Sequence, residues 1–175
     1  MLVAMAGLPA SGKSAIAVRL MGRLQAVLLS KDEVRAALFP ERFIEYSSRQ
    51  DDFCIEIILQ VARYILAQGP GSIIIIDGRT LSRRGQIQRI KAAADEYGVQ
   101  LKIIECKCTD ETARKRMVRD KGRHLAANRS FDLYTRLKAA SDPIELPKLV
   151  LETDHVDLEE SVTQAETYIT SPIGT

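Results

Sequence analysis

The chain contains no tryptophan, and aromatic residues make up only 5% of it, so its core must be mainly aliphatic. That composition suits buried strands packed against helices. Cysteine is scarce too: Cys54, Cys106 and Cys108 cannot all pair within the chain, and their spacing matches no zinc site. Cys106 and Cys108 lie two apart in a strand-like run, so they share a face and read as buried thiols, with a metal or redox pair as the alternative. Neither sign of charge dominates: 25 basic and 23 acidic residues leave a net charge of +2. That balance argues against a surface that binds nucleic acid or membrane as a whole. The two histidines, His124 and His155, have no evident partner and read as surface residues. No apolar run approaches the ~18 residues of a membrane span. Met1 to Ala6 leads straight into a glycine-rich turn and leaves no room for a signal peptide, so the expectation is a cytoplasmic protein without membrane contact. With 46% hydrophobic residues, 175 residues are most economically one domain.

Against these absences stands one dense motif. Gly7-Leu-Pro-Ala-Ser-Gly-Lys-Ser14 fits G-x-x-x-x-G-K-[ST]. An apolar run of strand length, Met1 to Ala6, precedes it, and Ile16, Leu20 and Leu24 follow at helical spacing. Strand, glycine loop and helix are the context in which such a motif binds phosphate. Gly7 and Gly12 let the backbone bend so that successive N–H groups point at a triphosphate, and the helix adds its positive end. The expected nucleotide-binding set is Gly7, Pro9, Ala10, Ser11, Gly12, Lys13, Ser14 and Ala15. Lys13 would reach the β- and γ-phosphates and Ser14 would ligate Mg²⁺. The plainer alternative is a glycine turn that merely caps a helix.

Taken in order, the rest alternates strands and helices. Gln25 to Ser30 reads as a strand, and Ser30-Lys-Asp-Glu33 fits the S-x-x-E capping box of a helix through Leu38. Residues 39 to 51 read as a loop, and Asp52 to Gln68 as a well-covered helix stopped by Gly69-Pro-Gly71. Ser72 to Ile76 holds four consecutive isoleucines and ends at Asp77-Gly78, which predicts an interior parallel strand. Further helices are expected over Arg84 to Tyr97, from Thr109 or Asp110, over Phe131 to Ala139, and through Leu158, Val162, Ala165 and Ile169. Strands are expected over Val99 to Cys108 and Lys148 to Glu152. This rhythm implies an α/β fold of three layers: a five-stranded parallel sheet covered by helices on both faces. The chemistry should lie where the first three strands end.

Three groups of residues flank the loop there. Asp32, just past the second strand, can face the γ-phosphate from the acceptor side and take a hydroxyl proton. Arg35, one turn on, could hold an anion on the acceptor; Asp32 and Glu33 could equally be acids in the first turn of a helix. Asp77 is the candidate carboxylate for Mg²⁺, opposite Ser14. Of Arg79, Arg83 and Arg84, one is expected to meet substrate, and Arg79 is the candidate. Residues 114 to 124 hold the densest basic run. It suggests a small lid over about residues 119 to 130, with Arg119 and Arg116 as catalytic candidates and Arg123 on the substrate. A solvated charged helix is the alternative.

With these motifs the chain resembles the small P-loop kinases, which include polynucleotide 5′-kinase domains, adenylylsulfate kinases and zeta-toxin-like kinases. The resemblance spans nearly the whole chain. It implies that Asp32 is a general base, that Arg35 meets a substrate phosphate, as in Asp-x-x-Arg of polynucleotide kinases, and that residues 153 to 157 and the lid border the adenine. Asp32 to Leu38 is also similar to adenylylsulfate kinases, although the extended aromatic and glycine-rich lid of those enzymes is missing. The expected activity is therefore ATP- and Mg²⁺-dependent transfer to a hydroxyl of a small or nucleotide-like acceptor, with nucleic acid a partner only as substrate. A nucleotide-binding switch that acts through a protein partner is the alternative.

Overall fold

The computed structural model describes residues 1–45, 47–120 and 130–171. Its centre is a five-stranded parallel sheet: β1 (Leu2–Ala6), β2 (Val27–Ser30), β3 (Ile74–Asp77), β4 (Leu101–Lys107) and β5 (Leu149–Glu152), in the order β2-β3-β1-β4-β5. Every neighbouring pair is parallel. The seven α-helices of the described residues are α1 (Lys13–Leu24), α2 (Lys31–Leu38), α3 (Ser48–Gln68), α4 (Arg84–Glu96), α5 (Asp110–Arg119), α6 (Phe131–Ala139) and α7 (Leu158–Thr170). The expected α/β class and strand count are both present.

Side-chain alternation along the strands builds two cores. Leu2, Ala4 and Ala6 of β1, with Ile74 and Ile76 of β3, face Ile55, Ile58 and Leu59 of α3 and Ile87 and Ile90 of α4. Val3, Met5, Ile75 and Ile104 face the other way, onto Ile16 and Leu20 of α1 and Val162, Ala165 and Ile169 of α7. β1 and β3 are buried along their whole length, which explains their uninterrupted apolar sequences. Each fully buried aliphatic side chain contributes about 1.5–3 kcal/mol. The aliphatic core anticipated from the lack of aromatics is what fills both layers.

Most element boundaries differ from expectation by one to four residues, and one of these shifts matters for the site. α3 begins at Ser48 rather than Asp52, because the Ser47 hydroxyl accepts from the Gln50 N–H at 3.2 Å and caps the helix. That extra turn carries Asp51 toward α2. β2 begins at Val27 because Gln25, with φ 50°, ends α1 in a left-handed turn. The Ser30 cap of α2 is present, with its Oγ accepting from the Glu33 N–H.

In this β2-β3-β1 order, the three strands whose ends were expected to carry the chemistry lie side by side. Ser30, the last residue of β2, pairs with Asp77, the last residue of β3. No helix among the described residues is long and apolar enough to cross a membrane.

Candidate functional site

The phosphate loop leaves β1 at Gly7, and only glycine fits there. Its φ is 136°, and a Cβ would lie 2.3 Å from the Cys106 carbonyl oxygen. The Gly7 N–H donates to the Thr80 carbonyl at 3.0 Å, which moors the loop to the segment after β3. The chain turns through left-handed conformations at Ala10, φ 65°, and Gly12, φ 89°. Gly12 caps α1 without a side-chain acceptor, so the first-turn N–H groups of α1 are directed into the cavity above, an arrangement suited to an anion. Lys13 is largely buried and its Nζ donates to the Leu8 carbonyl at 3.3 Å, so the side chain folds back along the loop. Ser14 is exposed on the cavity side.

That cavity has a volume of about 830 Å³. Pro9, Ala10, Gly12, Lys13, Ser14 and Ala15 form its floor. Lys31, Asp32 and Asp51 wall one end, with Arg79 beside them, and Arg116, Thr153 and Val156 line another stretch. The segment expected to border an adenine, residues 153 to 157, thus contributes Thr153, Val156 and Asp157 to the same space.

At the Asp32 end, charges form a closed network. Arg35 Nη1 donates to Asp32 Oδ1 at 2.6 Å and Nη2 donates to Asp51 Oδ1. Lys31 Nζ donates to the same Asp51 oxygen at 2.8 Å and lies 3.5 Å from Asp32 Oδ1. Arg35 is 2% exposed and is absent from the cavity wall. Arg35, the candidate for an acceptor anion, has its guanidinium between two carboxylates, where the desolvated charge is compensated. Asp51 was not singled out from the sequence. The signal that reveals it is Ser47-x-x-Gln50, a helix start that places Asp51 in the first turn of α3.

Asp77 is 4% exposed, and its Oδ1 has no hydrogen-bond partner among the described residues. A buried orphan carboxylate oxygen at the end of the strand beside β1 suits a hydrated divalent cation, with the Ser14 hydroxyl on the loop as the other protein ligand. Among the described residues, no cluster of three or more His, Cys, Asp or Glu side chains forms a protein-only metal cage. Mg²⁺ held jointly by protein and nucleotide fits such a surrounding.

The basic run divides. Arg116 Nη1 donates to the Ala10 carbonyl at 3.1 Å and to Thr153 Oγ1 at 2.9 Å, and Nη2 to the Thr153 carbonyl at 2.7 Å. Thr153 Oγ1 in turn donates to the Ser11 carbonyl at 2.8 Å. Arg116, a catalytic candidate from the sequence, thus ties the phosphate loop to the end of β5. Arg119 is exposed, lines the cavity and pairs with Asp120 at 3.2 Å. Arg123, His124 and most of the expected lid lie outside the described residues. His155 is exposed and away from the cavity wall.

The cysteines are all free. Burial pushes the Cys106 thiol up to about 12 and also raises Cys54 and Cys108, so they behave as packing groups.

A family model described as an AAA domain matches residues 2–136. The chain belongs to this family. No curated protein matches the AAA-domain chain in sequence. Among solved structures it is similar to the Mycobacterium tuberculosis APS kinase CysC in complex with AMPPNP and APS, at 17% identity and TM-score 0.72, covering 97% of each chain. A gluconokinase from Sinorhizobium meliloti is similar at 12% identity and TM-score 0.71, covering 95% of this chain and 90% of that one. A provisionally assigned kinase from Chloroflexus aurantiacus is similar at 20% identity and TM-score 0.73, covering 95% and 97%. These likenesses, each over 95% or more of this AAA-domain chain, show that it shares its fold with solved kinase structures.

Proposed function

We propose that this protein is an ATP- and Mg²⁺-dependent kinase that moves the γ-phosphoryl group to a hydroxyl of a small or nucleotide-like acceptor, a polynucleotide 5′-hydroxyl being one candidate. The observation that carries the reading is the shared cavity: the phosphate loop forms its floor and Asp32 stands in its wall. A carboxylate that shares a cavity with a phosphate-binding loop is placed to accept the proton of an attacking hydroxyl.

Lys13 and the backbone N–H groups from Ala10 to Ala15 bind the triphosphate, and residues 153 to 157 border the base. Mg²⁺, held by Ser14 and through water by Asp77, would neutralise charge between the β- and γ-phosphates. Arg35 grips Asp32 Oδ1 and fixes the carboxylate's orientation. As the acceptor oxygen bonds to phosphorus and the bond to the β-phosphate bridge breaks, Asp32 takes the hydroxyl proton. Arg119 supplies positive charge from the lid side, Arg123 and Arg79 meet the acceptor, and Arg116 holds the loop in shape.

The test is transfer from γ-labelled ATP with Mg²⁺ to 5′-hydroxyl DNA and RNA, nucleosides, adenylylsulfate and sugars. Labelled product from one class is the expected result and names the acceptor. Hydrolysis that responds only to a protein, with no labelled acceptor, would instead make the chain a nucleotide-dependent switch.

A further inference from the structure

Arg79 is a buried cation outside the Arg35 charge network. It follows Gly78, whose φ is 98° and where a Cβ would lie 2.9 Å from Lys31 Cβ. This contact seats the end of β3 against the start of α2, next to Asp32. Arg79 is 6% exposed and belongs to the cavity wall. Its Nη2 meets Asp52 Oδ1 at 2.6 Å, but Asp52 is itself well exposed. Its Nε and Nη1 are buried without a hydrogen-bond partner among the described residues. Buried guanidinium donors are rarely left unmatched, because their desolvation is then uncompensated. Arg35, at a comparable depth, is answered by two carboxylates. The cavity that Arg79 lines is also lined by Lys31, Ser48, Ser82, Arg83 and Gln86, residue types that can donate to an anion.

From this we propose that the acceptor carries an oxyanion, a phosphate, sulfate or carboxylate, in addition to the hydroxyl that is phosphorylated, and that Arg79 is the residue that grips it. The proposal rests on the kinase reading and narrows it: neutral alcohols and unmodified sugars are excluded as good acceptors. The anion-holding role expected of Arg35 passes to Arg79. Asp52 acts as a positioning residue, holding one end of the guanidinium while Nε and Nη1 remain without a protein partner among the described residues. No bond is made or broken at Arg79; it orients the acceptor so that its hydroxyl meets Asp32.

The test separates this grip from the phosphate loop. Protein saturated with AMPPNP and Mg²⁺, which fills the loop, is titrated with inorganic sulfate by calorimetry. Wild type should bind sulfate saturably, Arg79→Ala should weaken it roughly 10-fold or more, and AMPPNP affinity should be unchanged in both. Equal sulfate affinity in wild type and Arg79→Ala overturns the proposal. AMPPNP failing to bind at all would instead sink the kinase reading. Should Arg79→Ala fail to fold, wild type decides alone, through kcat/KM for paired acceptors: a nucleoside 3′-phosphate against the nucleoside, a nucleoside phosphosulfate against the nucleoside, and glycerate against glycerol. A preference of roughly 100-fold or more for one charged member identifies phosphate, sulfate or carboxylate as the anion. Equal rates within all three pairs overturn the proposal.

Discussion

Arg35 and Asp32 lie one turn apart on α2, and the Arg35 guanidinium, almost wholly buried, donates to Asp32 Oδ1 at 2.6 Å while its other nitrogen serves Asp51. The arrangement gives Asp32 a fixed aspect toward the phosphate loop, which separates its chemistry from its contribution to stability. Asp32→Asn preserves the shape and an acceptor oxygen for Arg35 but removes the proton acceptor. Phosphoryl transfer should fall about 10²- to 10⁴-fold with the ATP-induced thermal shift intact. Single-turnover transfer beside a melting curve checks this; a variant with full transfer rate would remove Asp32 as the base.

Arg35→Ala should behave in the opposite sense. It leaves Asp51 and Asp32 with Lys31 as their remaining cation, at a cost of about 3 kcal/mol, the low end for a broken buried pair because Lys31 stays and both carboxylates are partly solvated. Urea midpoints of wild type and variant measure it. A loss under about 1 kcal/mol would mean that the network is no more than a surface ion pair.

At Gly7 and Lys13 the outcomes differ in kind. Gly7→Ala pushes a Cβ into the Cys106 carbonyl in a backbone region that L-residues avoid, so the loop must shift as a whole. Both melting temperature and nucleotide binding should fall. Lys13→Ala removes a loop hydrogen bond to the Leu8 carbonyl, so it should lower the unliganded melting temperature less than Gly7→Ala does, while abolishing stabilisation by ATP–Mg²⁺. A Lys13→Ala protein that is stabilised like wild type would rule out the phosphate-binding reading of the loop.

How much of this was legible in sequence depends on the range of each contact. The phosphate loop, the isoleucine strand ending at Asp77 and the helix caps at Ser30 and Thr109 are local patterns, and all are present. Asp51 was hidden because its helix start was read as loop, although Ser47 and Gln50 mark it. The inward turn of Arg35 could not be read from Asp-x-x-Arg alone: its second partner lies 16 residues on, brought close by the packing of α3 on α2. Arg116 sits on a basic helix face in either account. Its actual acceptors, Ala10 and Thr153, are 106 and 37 residues away, and only the sheet order brings them within reach.

Cys106 supplies a prediction about pH. Its thiol is raised by burial from the ordinary ~8.5 to about 12, so the folded protein holds the proton more tightly than the unfolded chain does. Between these values the unfolded state binds fewer protons, and stability falls as pH rises, by up to about 1.4 kcal/mol per unit for one thiol. Cys106→Ala should flatten the decline in urea-derived stability between pH 9 and 11. In native protein at pH 8, Cys106 should also resist a thiol reagent that labels it after unfolding. Rapid labelling of Cys106 in the fold would contradict its burial.

Arg116 tests whether the basic helix acts on the phosphoryl group or on the loop. Three hydrogen bonds tie it to Ala10 and Thr153, and Thr153 Oγ1 carries the tie on to Ser11. Removing the guanidinium should therefore loosen the floor on which the triphosphate rests. Arg116→Ala is expected to raise KM for ATP roughly 10-fold, as for loss of a charge-assisted hydrogen bond, with kcat altered less. Arg116→Lys cannot reach Ala10 and Thr153 together and should rescue little. Thr153→Val, which keeps the shape and loses the hydroxyl, should reproduce part of the KM effect. Arg119→Ala should show the reverse split, with kcat lowered and KM for ATP nearly unchanged, because its exposed side chain braces nothing in the loop. If Arg116→Ala lowers kcat and leaves KM alone, its charge acts on the reacting group after all, and the tie must open once nucleotide binds.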